Sequence, residues 1–186
     1  MSHSFFELDD AVEIPGRWHL GDAALSDGTE PNLFDGHRFD TSRILAVDVQ
    51  YAGRILDFSL TAFAIPVVSA RLASAIGAIA GSDVQFVPTR IEGATGMFAL
   101  NTLRFVDCLD EARSKFLKWT TLDHRADLAG QYRMIAKRVL DAKAIPEGVH
   151  VFRFDPSPIS LVVTGQIKEA MEAAGCLGAH FTELPT

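Results

Sequence analysis

Hydrophobic residues occur along most of this chain in short alternating or continuous runs bounded by Gly, Pro and Asp, a pattern that favours β-strands. The clearest case is Val84 to Asp110, where two apolar runs rich in Val, Phe and Leu flank a glycine-bearing turn at Glu92 to Gly96. This spacing predicts a β-hairpin. The second run is apolar at both its odd-numbered and its even-numbered positions, as expected for a strand covered on both faces. We therefore place it at the centre of the core.

Two segments have helical spacing instead. Pro66 to Ser69 is interpreted as a helix entrance in which Ser69 is the cap, and apolar residues then recur on one face until Gly81 ends the helix. Thr164 is the predicted cap of a last helix, which closes at Gly175. Residues 131–142 fit both a helix and a strand, and periodicity leaves the two alternatives open.

The remaining segments are assigned mostly to strands and loops. In the first part of the chain we predict an edge strand within residues 5–20, with a turn at Pro15-Gly16 and Trp18 packed on the sheet, then a long surface loop at Gly21 to Thr41 and a strand at Ile44 to Val49. Glu111 to Gly130 is predicted to be a surface loop or short helix. Towards the end we predict strands at Val149 to Phe154 and Ile159 to Val163, joined by a reversal at Asp155 to Pro158, and a tail at Cys176 to Phe181 that returns to the core. Together they predict an α+β fold: a single domain over residues 1–186, mainly antiparallel β-sheet with a few short flanking helices.

Composition and charge narrow the function classes. The 186 residues are 48% hydrophobic and 22% charged, as in soluble globular proteins, and the net charge is −7. That charge makes nucleic acid a poor partner and favours a basic protein, although many cytosolic proteins are this acidic for solubility alone. The longest apolar stretch, Phe58 to Ala70, is interrupted by Pro66, and the N-terminus lacks the basic region of a secretory signal, so we expect a cytoplasmic protein with no membrane partner.

Residues that carry chemistry are sparse. Cys108 and Cys176 have no metal-binding spacing and the six histidines are isolated, so neither a metal nor another cofactor is predicted. The best acid pair is Asp107 and Asp110 at a predicted strand end, where two carboxylates could tune each other's pKa or hold a cation. This pair supports one alternative function, a small cytosolic hydrolase-like enzyme. The competing interpretation of the pair is a capped turn.

Several short motifs occur in an order that resembles a bacterial immunity-protein family of the polymorphic-toxin systems, the family labelled immunity protein eleven. They are Arg17-Trp18-His19-Leu20-Gly21, Pro66-Val67-Val68-Ser69, Phe86-Val87-Pro88, Leu100-Asn101-Thr102-Leu103, Val106-Asp107-Cys108-Leu109-Asp110, Ile145-Pro146, Val151-Phe152-Arg153-Phe154, Val162-Val163-Thr164 and Ala174-Gly175-Cys176-Leu177-Gly178 ahead of Phe181. The resemblance spans almost the whole chain. It implies a cytoplasmic α+β protein that binds and neutralises a co-encoded toxin, without catalytic activity, and it favours a strand at Arg133 to Asp141.

The segment from Glu111 to Gly130 matches the family pattern least, and partner specificity could therefore reside there. We predict a partner interface that includes Asp110, Glu111, Trp119 and Asp123. A Trp flanked by charges is typical of an interface anchor, and acidic groups around it would speed association with a basic toxin. The apolar content also leaves a homo-oligomer open as an alternative.

Overall fold

The computed structural model describes residues 4–155 and 157–186, without the side chains of residues 157 and 158. Its strands are β1 Phe5–Asp10, β2 His19–Leu25, β3 Leu45–Tyr51, β4 Phe58–Leu60, β5 Pro66–Ser69, β6 Val84–Ile91, β7 Ala94–Thr102, β8 Phe105–Val106, β9 Lys115–Lys118, β10 Tyr132–Lys137, β11 Val151–Phe154, β12 Ser157–Thr164 and β13 Ala179–Leu184. The α-helices are α1 Ala70–Ala80 and α2 Gly165–Ala173, and short 3₁₀ turns lie at Ala126–Leu128 and Ala142–Ala144. The predicted fold class, α+β with mainly antiparallel sheet and short helices, is confirmed.

One sheet has six strands in the order β2-β3-β6-β7-β5-β4. The predicted hairpin is confirmed as β6 and β7, which pair from Val84 with Thr102 up to the turn at Gly93, whose φ of 75° suits glycine. The second run is shorter than predicted, because it breaks after Thr102. Phe105 and Val106 then form β8 in the other sheet, where they pair in parallel with β11.

The other sheet has five strands in the order β13-β1-β12-β11-β8. The prediction that β1 is an edge strand is wrong, since Phe5 is paired with Thr164 on one side and with Leu184 on the other. The second neighbour is β13, formed by the tail that was correctly predicted to return to the core. The turn after β1 contains Gly16 with a φ of 66°, and Trp18 is buried with 2% of its surface exposed.

The helices begin and end close to the predicted positions. Pro66–Ser69 is a strand and not a helix entrance, because it pairs with β7 and β4, but Ser69 does cap α1 by accepting from the Leu72 N–H at 3.5 Å. Gly81 is the C-cap of α1, and Gly175, with a φ of 68°, follows α2. Thr164 occupies the N-cap of α2 without capping it through its side chain, which instead lies 3.2 Å from Nδ1 of His150.

Three further predictions need correction or completion. The Gly21 to Thr41 loop is wrong at its start, because residues up to Leu25 belong to β2, where Ala23 and Leu25 are buried against β3. The loop-or-helix prediction for Glu111 to Gly130 misses β9, which pairs with β10. The strand favoured at Arg133 to Asp141 is confirmed in part as β10, which ends at Lys137.

The predicted strands at 44–49, 149–154 and 159–163 are confirmed as β3, β11 and part of β12. The reversal predicted at Asp155 to Pro158 includes Pro156, which lies outside the described residues.

The two large sheets share a hydrophobic core with both helices. Leu8 of β1, Leu100 of β7, Ile76 of α1 and Met171 of α2 belong to one cluster of buried side chains. Two buried polar links also connect the sheets. Arg17 donates to Asp10 at 3.0 Å and to Ser59 at 3.4 Å, and the Asp83 carboxylate accepts from the His150 N–H at 2.7 Å.

Candidate protein-binding site

Residues 111–137 form a segment that is separate from both large sheets, and we refer to it as the arm. Its strands β9 and β10 pair with each other as a two-stranded sheet. No residue of the arm, all of which the structure describes, is buried, whereas Val139 and Leu140 directly after it are. The arm therefore contributes little to the core.

The arm has two different faces. On the inner face Phe116 is paired with Ile135 and Lys118 with Tyr132, and all four residues are half-buried. Ile135 packs against the core cluster that contains Leu140, and the Phe116 and Tyr132 rings meet edge to face with centroids 5.2 Å apart. This face is directed towards the body of the protein.

The outer face consists of Lys115, Leu117, Met134 and Lys137, all exposed. Lys115 lies opposite Lys137 and Leu117 opposite Met134, and Leu117 and Met134 are 55% and 52% exposed. Irregularities in β10 between Tyr132 and Met134 and between Ile135 and Lys137 bring these residues onto one face. The result is an apolar pair beside a pair of lysines, open to solvent.

Glu111, the first predicted interface residue within the arm, supports the inner face. Its carboxylate accepts from Lys118 Nζ at 2.7 Å and from the Tyr132 hydroxyl, and these two bonds lower the pKa of Glu111. Partial burial and the bond to Glu111 raise the pKa of Tyr132 to about 12. Lys118 Nζ also lies 4.6 Å from the centre of the Tyr132 ring.

Trp119 and Asp123 lie together where β9 leads into the connection to β10. The Arg133 guanidinium covers the half-buried Trp119 ring at 4.7 Å, and His124 meets that ring edge-on at 5.2 Å. Asp123 accepts from the Thr120 N–H at 2.7 Å and hydroxyl at 2.8 Å, which lowers its pKa, and it lies 3.3 Å from Arg133. Arg133 thus connects Trp119 and Asp123.

Asp110 stands directly before the arm. Its carboxylate accepts from Arg113 Nε at 2.6 Å, a bond that lowers the pKa of Asp110, and its N–H donates to the Val139 carbonyl at 2.9 Å. The structure therefore places Asp110, Glu111, Trp119 and Asp123 in or beside one segment. Each is in contact with a basic side chain of that segment, a pairing that the sequence analysis did not foresee.

The charge of the arm is opposite to that of the chain. Residues 111–137 contain six Lys and Arg but three Asp and Glu, a net charge of +3, which leaves −10 on the other residues. The six are Arg113, Lys115, Lys118, Arg125, Arg133 and Lys137, and four of them form ion pairs with Asp110, Glu111, Asp127 and Asp123. Within the described residues Lys115 and Lys137 form none. Sequence reasoning missed the outer face, because only the irregular register of β10 places its four residues together.

The two carboxylates of the alternative acid pair have different surroundings. Asp107 is exposed after β8, whereas Asp110 is bound to Arg113, which lowers the pKa of Asp110 and does not raise it as a neighbouring carboxylate would. A cavity of about 600 Å³ lies elsewhere, among Phe5, Val149 and His150. Among the described residues no group of three or more His, Cys, Asp or Glu side chains is arranged to hold a metal ion.

The fold and the arm define an α+β protein with an exposed, oppositely charged segment. The chain matches the immunity protein family Imm11 over residues 9–186, and it belongs to this family. Membership indicates a role in immunity against a toxin. No match is found among curated proteins. In the described part of the chain, none of the helices has the length and apolar character needed to cross a bilayer.

Proposed function

We propose that this protein neutralises a toxin encoded beside it by binding that toxin in the cytoplasm, with the arm as the toxin-binding surface. The proposal treats residues 1–186 as one immunity domain that acts by binding and not by catalysis. Family membership supports the biological role, and the architecture of the arm supports the location of the interface.

A single observation carries the location: the arm is an ordered, unburied segment that exposes apolar side chains. A two-stranded sheet is at best marginally stable alone, and this one is held mainly by ion pairs and ring contacts, with Ile135 packed against the core. Leu122 is 95% exposed, and Leu117 and Met134 are more than half exposed. Apolar side chains surrounded by charged groups are typical of a protein interface.

Asp110, Glu111, Trp119 and Asp123 serve this proposal as the supports of the arm. Trp119 is the expected anchor, since large aromatic residues beside Arg contribute most to binding free energy at interfaces. A stable complex requires about 800 Å² of buried surface on each partner, so the toxin would also contact residues outside the arm. There the acidic surface would attract a toxin of net positive charge over longer distances.

The first experiment is rescue of growth when the protein is co-expressed with the product of the adjacent gene, followed by co-purification at moderate salt. Restored growth with co-elution is the expected result. Rescue without a complex would favour the enzymatic alternative, in which Asp107 and Asp110 act on the toxin's product. Neither rescue nor co-elution would contradict the proposed function.

The location of the interface is tested by Trp119→Ala, with Phe63→Ala as the matched control because Phe63 is a 65% exposed aromatic residue outside the arm. We expect Trp119→Ala to weaken toxin binding by about tenfold or more, and Phe63→Ala to leave it unchanged. Calorimetric titration measures both. Equal affinities for wild type and Trp119→Ala would show that Trp119 is not part of the interface. The proposed location of the interface around Trp119 would then be contradicted.

A further inference from the structure

We propose that the outer face of the arm, Lys115, Leu117, Met134 and Lys137, binds an acidic protein segment that also carries apolar side chains. This inference rests on the proposed function, because it names the local chemistry of the partner at the proposed toxin-binding surface. It differs from the expectation of a basic toxin, which concerns the net charge of the partner and not the segment that contacts the arm.

The first argument is the unneutralised charge of the two lysines. Lys115 and Lys137 lie directly opposite each other, and like charges in that position destabilise an antiparallel pair. The other four basic residues of the arm each have an acidic partner within about one hydrogen-bond length, from 2.6 to 3.3 Å. The arm thus neutralises its basic groups except on the outer face, where an external carboxylate would remove the repulsion.

A simpler explanation of these lysines is that they protect open strand edges against aggregation. That role does not account for the apolar pair next to them. Leu117 and Met134 lie opposite each other with about half of each side chain exposed, so the lysines border an apolar patch and do not replace it. An apolar pair with lysines at one end matches a segment in which carboxylates and apolar side chains occur together.

Charge also selects this face over the rest of the surface. An acidic segment is attracted by the +3 charge of the arm and repelled by the −10 charge of the remaining residues. Nucleic acid would experience the same fields, but its bases require free aromatic faces for stacking. Arg133 covers a face of Trp119, and Lys118 lies over Tyr132, so an acidic protein segment fits the arm better.

The test uses a short peptide in which Glu and Val alternate, titrated into isotope-labelled full-length protein and followed by NMR. We expect chemical-shift changes at arm amides and an affinity that falls as salt rises. The comparison ligands are the same peptide with Lys in place of Glu and a single-stranded DNA oligonucleotide of equal charge.

Two variants separate charge from folding. Lys137→Glu places a carboxylate opposite Lys115, so it strengthens the hairpin while it removes the net positive charge of the outer face. The matched control is Arg90→Glu, since Arg90 is exposed, has no ion pair within the described residues and lies outside the arm. We expect Lys137→Glu to weaken binding of the acidic peptide by about tenfold, and Arg90→Glu to change it by less than about twofold.

Three outcomes would overturn the inference: no arm shifts with the acidic peptide, equal shifts with the Lys peptide, or tighter binding of the oligonucleotide. If Lys137→Glu bound the acidic peptide as tightly as the wild type, the proposed role of the two lysines would be overturned. None of these results depends on rescue of growth. Rescue of growth without peptide binding at the outer face would therefore leave the proposed function intact. Peptide binding without rescue of growth would contradict the proposed function alone.

Discussion

Asp83 shows how much of this fold depends on single buried polar residues. It immediately precedes β6, it is 1% exposed, and its carboxylate reaches the other sheet by accepting from the His150 N–H at 2.7 Å. Arg104 Nε lies 3.3 Å from its other oxygen. Asp83 therefore satisfies the backbone donor directly before β11, and it links the two sheets at that point.

We predict that Asp83→Ala lowers the free energy of unfolding by about 1–3 kcal/mol, because it leaves a partly buried N–H and a guanidinium without their acceptor. Asp48→Ala, at an exposed position of β3, is the control and should change stability by less than about 0.5 kcal/mol. Urea denaturation measures both variants. Equal stability of Asp83→Ala and the wild type would mean that solvent replaces the lost acceptor at no cost.

Asp57 is a second residue of this kind, at the junction of α1 and the tail. Burial alone would raise its pKa, but hydrogen bonds from Arg71 at 2.8 Å, Ser69 at 2.9 Å and the Leu177 N–H at 3.2 Å outweigh burial and hold its pKa below the ordinary value of 3.8. Its ionised form is thus preferred in the folded state.

The sign of the pH dependence follows from this lowered pKa. The stabilisation from Asp57 is present above the unfolded-state pKa and is lost as the pH falls through the lower folded-state pKa. We expect Asp57→Asn to be less stable than the wild type at neutral pH, with the difference shrinking as the pH drops below about 4. Denaturation curves of both proteins across this range measure it. A difference that is constant with pH would show that the charge of Asp57 is irrelevant.

At the scale of elements, the arm and the β6–β7 hairpin differ in stability. Both are antiparallel pairs, but β7 is largely buried between β6 and β5, whereas no arm residue is buried. Segments with few buried contacts open locally at low free-energy cost. We therefore expect amides of β9 and β10 to exchange with solvent orders of magnitude faster than those of β6 and β7. Hydrogen exchange followed by NMR measures this, and equal protection would contradict the view of the arm as an independent segment.

The same contrast explains which elements the sequence could predict. The β6–β7 hairpin was predictable because both strands contain several buried apolar residues and Gly93 marks the turn. β9 was not, because Lys115–Lys118 alternates half-buried and exposed residues in only four positions. β10 was predicted through family resemblance, since its irregular register spoils the alternation on which periodicity depends.

The contacts within the candidate site could not be predicted from the sequence. Trp119 and Asp123 could be singled out as charged or aromatic residues in the segment least like the family. Their shared partner Arg133 lies beyond a turn and on a strand whose register the sequence does not determine. The error at β1 has the same origin, because its second neighbour β13 comes from the far end of the chain.

At the scale of the whole molecule, the charge is divided between two regions of opposite sign. The net value of −7 includes +3 on the arm, so a prediction about partners from the total charge describes the long-range field and misses the local charge of the arm. A toxin with a basic surface and an acidic segment would satisfy both regions.

The position of β1 has a consequence for how the protein is made. Phe5–Asp10 is inserted between β12 and β13, so β1 is paired with two strands that are synthesised long after it. Such distant pairings form slowly because a long loop must close before any contact is gained. During translation β1 remains an unpaired, partly apolar segment, and the five-stranded sheet can close only after Leu184 has been added. Any binding that depends on this sheet therefore begins only after synthesis has passed Leu184.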